Sequence, residues 1–287
     1  MSIDLHSHST ASDGSFPPAD VAIAHSASGI KLAALTDHDT LGGVPEFSKA
    51  CKEEKVIGIG GSEFSTVFDG YEVHLLGYNL DLDNPVCSDF FIKHHEYLRL
   101  RLEETLKKLD QLGYPADIDE VYRESMGNPP MPPHILKVLF SHGKINDIKH
   151  AVDFFWEYLS NKGKAFVPHE TTLEAPVKMM KETGAVSIIA HPLRLNEPVK
   201  NTNEILDAGA DGFELYYPGQ DGDLFDELKS VADSRGCLVS GGSDYHGAFA
   251  NVMTGEVKIL PEYISDFLDA IHVDYGSLTN TVMEDGS

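Results

Sequence analysis

Basic residues are scarce in this chain. Across its 287 residues, 22 Lys and Arg stand against 46 Asp and Glu, a formal charge of −24. After Lys200 only Lys229, Arg235 and Lys258 carry a basic side chain. Such a surface repels a phosphate backbone, which argues against broad attachment to long nucleic acid. A small phosphorylated substrate stays compatible with it, provided that metal ions supply positive charge locally. Cysteine is also rare: Cys51, Cys87 and Cys237 are far apart and odd in number. That excludes a disulfide framework and points to reduced thiols in a cytoplasm. No apolar run approaches the length that crosses a bilayer. The amino terminus enters a strand without a basic region and apolar stretch, so neither a membrane partner nor a signal peptide is expected. Repeats and low-complexity tracts are missing. What remains, 41% hydrophobic and 24% charged, describes a globular protein with a sizeable core.

What is present is a rhythm of apolar runs, many of which end in an ionisable group. "SIDLHSH" ends in His6 and His8, and "KLAALTDHDT" in Asp37, His38 and Asp39. "VIGIGGSEFS" runs into Glu63, "YEVHLLGYNL" carries His74, and "GAVSIIAHP" ends at His191. "DGFELYYP" holds Glu214, and "GCLVSGGSDYHG" ends at Asp244 and His246. Helical segments at 17–29, 42–55, 173–183 and 221–235 separate several of these strands, so the strands should be mainly parallel. Chemistry gathered from so many strand ends fits a closed α/β barrel better than an open sheet with one crevice.

Residues 84–166 break the rhythm. Leu98, Leu102, Leu106 and Leu109 have helical spacing, with Gly113 as a stop, and further helices are predicted near 117–126, 133–143 and 147–161. The division expected is therefore a barrel made of 1–83 and 167–287, with 84–166 as an inserted helical subdomain capping its mouth. Arg101 lies at the edge of the leucine stripe, where it can reach inward. Residues 281–287 read as a frayed tail.

The strand-end groups form one constellation: His6, His8, Asp13, His38, Glu63, His74, His191, Asp244 and His246. Imidazoles and carboxylates in this mixture suit Mn²⁺, Fe²⁺ or Zn²⁺ better than Ca²⁺ or a lone Mg²⁺. Nine ligands are too many for one ion. A carboxylate such as Glu63 can bridge two, so the set serves two or three.

These motifs resemble the PHP (polymerase and histidinol phosphatase) family of metal-dependent phosphoesterases. "DLHSHSTASDG" is similar to its first motif, "LTDHDT" to its second, Glu63 with His74 to its third and "GGSDYHG" to its fourth, with "AHP" between. The resemblance implies a distorted (β/α)₇ TIM-like barrel and a trinuclear centre, manganese being the first choice of metal. By the family pattern His6, His8, Glu63 and Asp244 hold one ion. Glu63, His74 and His191 hold a second, and Asp13, His38 and His246 a third. The insertion and the Arg after "AHP" resemble the stand-alone branch that hydrolyses small nucleotides, acting on 5′-AMP, nucleoside 3′,5′-bisphosphates, short oligonucleotide ends or cyclic sugar phosphates. There Arg101 and Arg194 match phosphate-binding arginines. His134 matches the histidine of an Arg-Pro-His-Ile motif that reads "PPHI" here, so Pro132 replaces an arginine and weakens the bisphosphate assignment.

The reaction expected is hydrolysis of a nucleotide-like phosphomonoester by a metal-bridging hydroxide, since paired cations acidify water and neutralise phosphoryl oxygens. Arg194, with Arg101, would clamp the phosphoryl group. Asp37 is a candidate proton donor, and Asp37 and Asp39 are candidates for orienting ligand imidazoles. Cyclic sugar-phosphate diesterase and histidinol phosphatase are the alternatives. A metal-dependent amidohydrolase ranks lower, because no Lys stands at these strand ends, as does a non-catalytic metal-binding module. Glu214 is read as either a substrate-pocket group or a structural one. Tyr216, Tyr217 and Tyr245 read first as packing, as do His25, His94, His95, His142, His150, His169 and His272. Gly60, Gly61, Gly241 and Gly242 read as sites of close backbone approach.

Overall fold

The computed structural model describes residues 2–219, 222–249 and 252–273. The expected tail at 281–287 lies outside the described residues. Seven strands follow one another around a single sheet in chain order: β1 (Ser2–Asp4), β2 (Ile30–Leu35), β3 (Ile57–Phe68), β4 (Tyr71–Tyr78), β5 (Val186–Ile189), β6 (Gly212–Tyr216) and β7 (Leu238–Gly241). Just beyond the strands the sheet closes on itself. Leu5 N–H donates to Gly241 O at 3.2 Å, His8 N–H donates to Tyr245 O at 2.8 Å, and Ser7 bridges Tyr245 in parallel. Strands such as β2 (IKLAAL) and β5 (VSII) are apolar nearly throughout because helices cover the sheet.

The distortion lies in β4, which is antiparallel to both β3 and β5 while the other pairs are parallel. Only Asp69 and Gly70 separate β3 from β4, and both take positive φ, 48° and 80°. A two-residue turn of this type makes a hairpin, and no crossover to a parallel strand fits in it.

The helices are α1 (Pro18–Ala27), α2 (Val44–Glu53), α3 (Pro85–Gln111), α4 (Ile118–Glu124), α5 (Pro132–Ser141), α6 (Ile148–Phe154), α7 (Glu174–Thr183), α8 (Pro198–Ala208), α9 (Gly222–Arg235) and α10 (Ser265–Ala270). Pro18, Pro85, Pro132 and Pro198 each open a helix, where an N–H would have no partner in any case. One apolar cluster fills the barrel, uniting Ile3 and Leu5 with Leu32, Leu76, Tyr78 and Ile188. Tyr78 Oη donates to Leu5 O at 2.7 Å across it, and Phe267 of α10 packs edge-on against the Tyr78 ring.

Helix α3 serves two cores. Cys87 and Phe91 join the cluster between the sheet and its helices, whereas Leu102, Leu106 and Leu109 join Val121, Ile135, Val138 and Leu139 in a separate one. Asn84 caps α3, accepting from Val86 N–H at 3.0 Å. Among the described residues no helix is long and apolar enough to cross a membrane.

Candidate metal centre

The segments that follow β1, β2, β5 and β7, together with the β3–β4 hairpin, place the ionisable groups. His6 and His8 follow β1, His38 follows β2, His191 follows β5, and Asp244 and His246 follow β7. Asp13 lies in the loop before α1, while Glu63 and His74 sit within the β3–β4 hairpin. Five of the other eight groups converge on Glu63, which is 1% exposed, and the remaining three pack around those histidines. Glu63 Oε2 lies 3.1 Å from His6 Nε2, 3.1 Å from His8 Nε2 and 3.4 Å from His38 Nε2. Its Oε1 lies 3.0 Å from both His74 Nδ1 and His191 Nε2. Asp244 Oδ1 approaches His6 and His8 at 3.4 and 3.3 Å. Asp13 meets His246 Nε2 at 3.2 Å, His8 Nδ1 at 3.5 Å and His38 Nε2 at 3.7 Å.

Three groups of ligand atoms are compact enough to hold an ion: His6, His8, Glu63 and Asp244; His38, Glu63 and His74; and His8, Asp13, His38 and His246. The first coincides with an expected set. The third contains all of another and adds His8. In the second His38 takes the place of His191, which faces the same Glu63 oxygen as His74.

This donor set fits divalent cations. His6 Nε2 and His8 Nε2 lie 3.0 Å apart, and the buried Nδ1 of His8, on the Asp13 side, has no hydrogen-bond partner. Buried nitrogens need a partner, and a cation supplies one. Electrostatics point the same way. Burial would raise Glu63, but the charges of His6, His38 and His74 with a His191 hydrogen bond hold it well below the carboxylate range. Burial would lower His8, yet hydrogen bonds to Asp244 and Glu63 and the Asp13 charge push it up to about 10. His74 also rises to about 10 against burial, through Glu63 and Glu72. Without an ion, the imidazoles hold protons that a divalent ion would displace.

Around the ligands the structure sorts the other candidates. Arg194 pairs with Asp244 Oδ2 at 2.9 Å, and Tyr217 Oη donates to the same oxygen at 2.9 Å with the guanidinium over its ring. Glu214, fully buried, accepts from His6 Nδ1 and from the His191 N–H, so it is turned away from any substrate. Asp37 is not brought to the ligands. Its oxygens accept from Ser9 N–H at 2.7 Å, Ser9 Oγ at 2.7 Å and Ser12 Oγ at 2.6 Å, which commits it to shaping the loop after β1. Asp39 touches no ligand imidazole either. Held at φ 56°, it pairs with His94 Nε2 at 2.8 Å, while its carbonyl accepts from His95 Nε2 at 2.7 Å.

His134 is similarly committed. Its Nδ1 accepts from Met131 N–H at 2.9 Å and its Nε2 faces Thr10 O at 3.4 Å, which ties α5 to the loop carrying Asp13. Arg101 donates from Nε to Val167 O at 2.8 Å and lines a cleft with Asp39, Pro132, Phe166 and His169. Tyr216 stacks on Tyr263, and Tyr245 is buried against the α1 side, so both are packing residues. A Cβ on Gly242 would collide with the His6 backbone, which accounts for that glycine. Residue reading missed Glu72, 3.5 Å from His74 Nε2, although its place two residues before His74 on one strand was a signal. For His94 and His95 no such signal exists, because their partners depend on how α3 docks.

Residues 4–166 match the PHP domain family. The chain is 32% identical over 248 residues to a 5′-3′ exoribonuclease of Haemophilus influenzae, covering 85% of this chain and 89% of that one. It is 30% identical over 251 residues to a 3′,5′-nucleoside bisphosphate phosphatase of Chromobacterium violaceum, covering 85% and 87%. A solved structure assigned to a metal-dependent phosphoesterase of Bifidobacterium adolescentis superposes with a TM-score of 0.80 at 25% identity, over 93% of this chain and 96% of that one.

Proposed function

The chain belongs to the PHP family and is a metal-dependent phosphoesterase, and from that premise we propose that it hydrolyses a small nucleotide-like phosphomonoester, 5′-AMP or a nucleoside 3′,5′-bisphosphate. The observation that carries this reading is the division of Glu63. One oxygen faces His6 and His8, the other His74 and His191, with Arg194 beside Asp244 at the rim. In this reading His6, His8, Glu63 and Asp244 hold one divalent ion, Glu63, His74 and His191 a second, and Asp13, His38 and His246 a third, manganese filling them first. Ions so held supply an acidified water and neutralise phosphoryl oxygens.

The chain's own residues do the rest. Arg194 spends one guanidinium nitrogen on Asp244, and its side chain, 59% exposed, carries further N–H donors to a phosphoryl oxygen. Arg101, which lines the cleft with Pro132 and Phe166, is the second arginine for the phosphoryl group. Pro132 opens α5 and brings no cation, which favours one phosphate over two. His134 stays neutral, since burial and Lys137 lower it to about 4.

The test is inorganic phosphate release by Mn²⁺-loaded protein from 5′-AMP, adenosine 3′,5′-bisphosphate, a cyclic sugar phosphate and histidinol phosphate, with and without chelator. Chelator-sensitive release from either adenosine compound is the expected result. Opening of the cyclic ester alone to its phosphomonoester, followed by chromatography because it frees no phosphate, assigns a diesterase, and release from histidinol phosphate alone assigns that phosphatase. A 5′-phosphorylated RNA oligonucleotide belongs in the panel because of the exoribonuclease relative. Digestion of it in preference to 5′-AMP contradicts the small-substrate reading.

A further inference from the structure

We infer that Glu214 is a positioning residue that sets His6 and His191 together, so that the ligand sets on the two sides of Glu63 form as one unit. This rests on the multi-metal reading and goes beyond it, since Glu214 is not a ligand in that scheme.

Both Glu214 oxygens lie 3.0–3.1 Å from His6 Nδ1. A carboxylate there accepts a proton held on Nδ1, which leaves the Nε2 lone pair facing Glu63 and Asp244. Its Oε2 also accepts from the His191 N–H at 2.7 Å. His191 stands at φ 30° and ψ 62°, a left-handed backbone that a non-glycine residue adopts only when its surroundings hold it. His6 belongs to the Oε2 side of Glu63 and His191 to the Oε1 side. One carboxylate, fully buried on β6, therefore fixes a side chain of the first set and the backbone of the second. The β6–β7 register shifts between Glu214 and Tyr216, the kind of irregularity that re-aims a side chain near a site.

A glutamine at 214 keeps the shape but presents an amide in place of a carboxylate that serves two donors at once. The experiment measures Zn²⁺ bound per chain and its affinity by chelator competition, for wild type and Glu214→Gln. The expected result is a loss of affinity of about tenfold to a hundredfold that weakens two ions in parallel. A variant with wild-type stoichiometry and affinity, or one that loses a single ion, overturns the inference. Should the variant fail to fold, a long-range ¹H–¹⁵N spectrum of Zn²⁺-loaded wild type decides. A proton on His6 Nδ1 supports the inference and a proton on Nε2 overturns it. Wild-type protein that takes up no stoichiometric metal removes the multi-metal reading itself; a loaded wild type with an unaffected variant removes only the role of Glu214.

Discussion

The barrel mouth and the helical insertion are built in opposite ways. At the mouth, polar groups from β4 and from the ends of β1, β2 and β5 crowd onto the Glu63 carboxylate of β3, and Glu214 stands behind His6 and Glu72 beside His74. The insertion has an ordinary apolar core of its own. Polar struts join it to the barrel: His94 and His95 on Asp39, Asn128 on Thr40, His134 toward Thr10, and Arg101 on Val167. The struts from His134 and His94 reach the loops that carry Asp13 and His38. The first region has the over-determined character that chemistry at a metal centre requires. In the second, cleft residues such as Pro132 and Ile135 lie on elements that carry none of the ligands.

Glu63→Ala attacks the shared element of the first region and has the largest expected effect. Bound metal and phosphate release should both fall to background; full activity with normal metal content would break the comparison at its root. Arg194→Ala comes next. It should keep its metal while losing about 2–4 kcal/mol of transition-state stabilisation in kcat/KM. An unchanged kcat/KM would remove Arg194 from the phosphoryl group.

His134→Gln tests the struts. Leaving its buried partners poorly paired should cost about 1–3 kcal/mol of stability and raise KM more than it lowers kcat, with metal content retained. A fall in bound metal would mean that the two regions are not separable. The same variant has a pH signature. His134 is depressed to about 4 by burial and Lys137, below an unfolded value near 6.5. The unfolded chain therefore binds the proton first, and the stability contribution is present above about 6.5 and lost as pH falls toward 4. The difference in Tm between wild type and His134→Gln should change across that window and stay flat above it. Arg99→Ala is the smallest. Arg99 pairs with Glu96 and Glu103 on the exposed side of α3, so neither Tm nor kcat/KM should move.

The ligand positions were legible because most stand in or just after an apolar run, and the order of the strands around the sheet brings them to one rim. The reversal of β4 was written in Asp69-Gly70, a hairpin signal that a reading for βαβ units passes over. Helix α8 escaped because it begins within a polar stretch, with Pro198 as its only start signal. The roles of Glu214, Asp37 and His134 were not legible. Glu214 meets His6 across 208 residues and His134 meets Thr10 across 124, so each role depends on closure of the barrel or docking of the insertion. Periodicity reports neither.

The most direct measurement follows metal content and phosphate release together as chelator is titrated into Mn²⁺-loaded protein. The account predicts two or three ions per chain, with release falling in step as they are removed and returning when Mn²⁺ is restored. Phosphate release that persists after the ions are gone would contradict it.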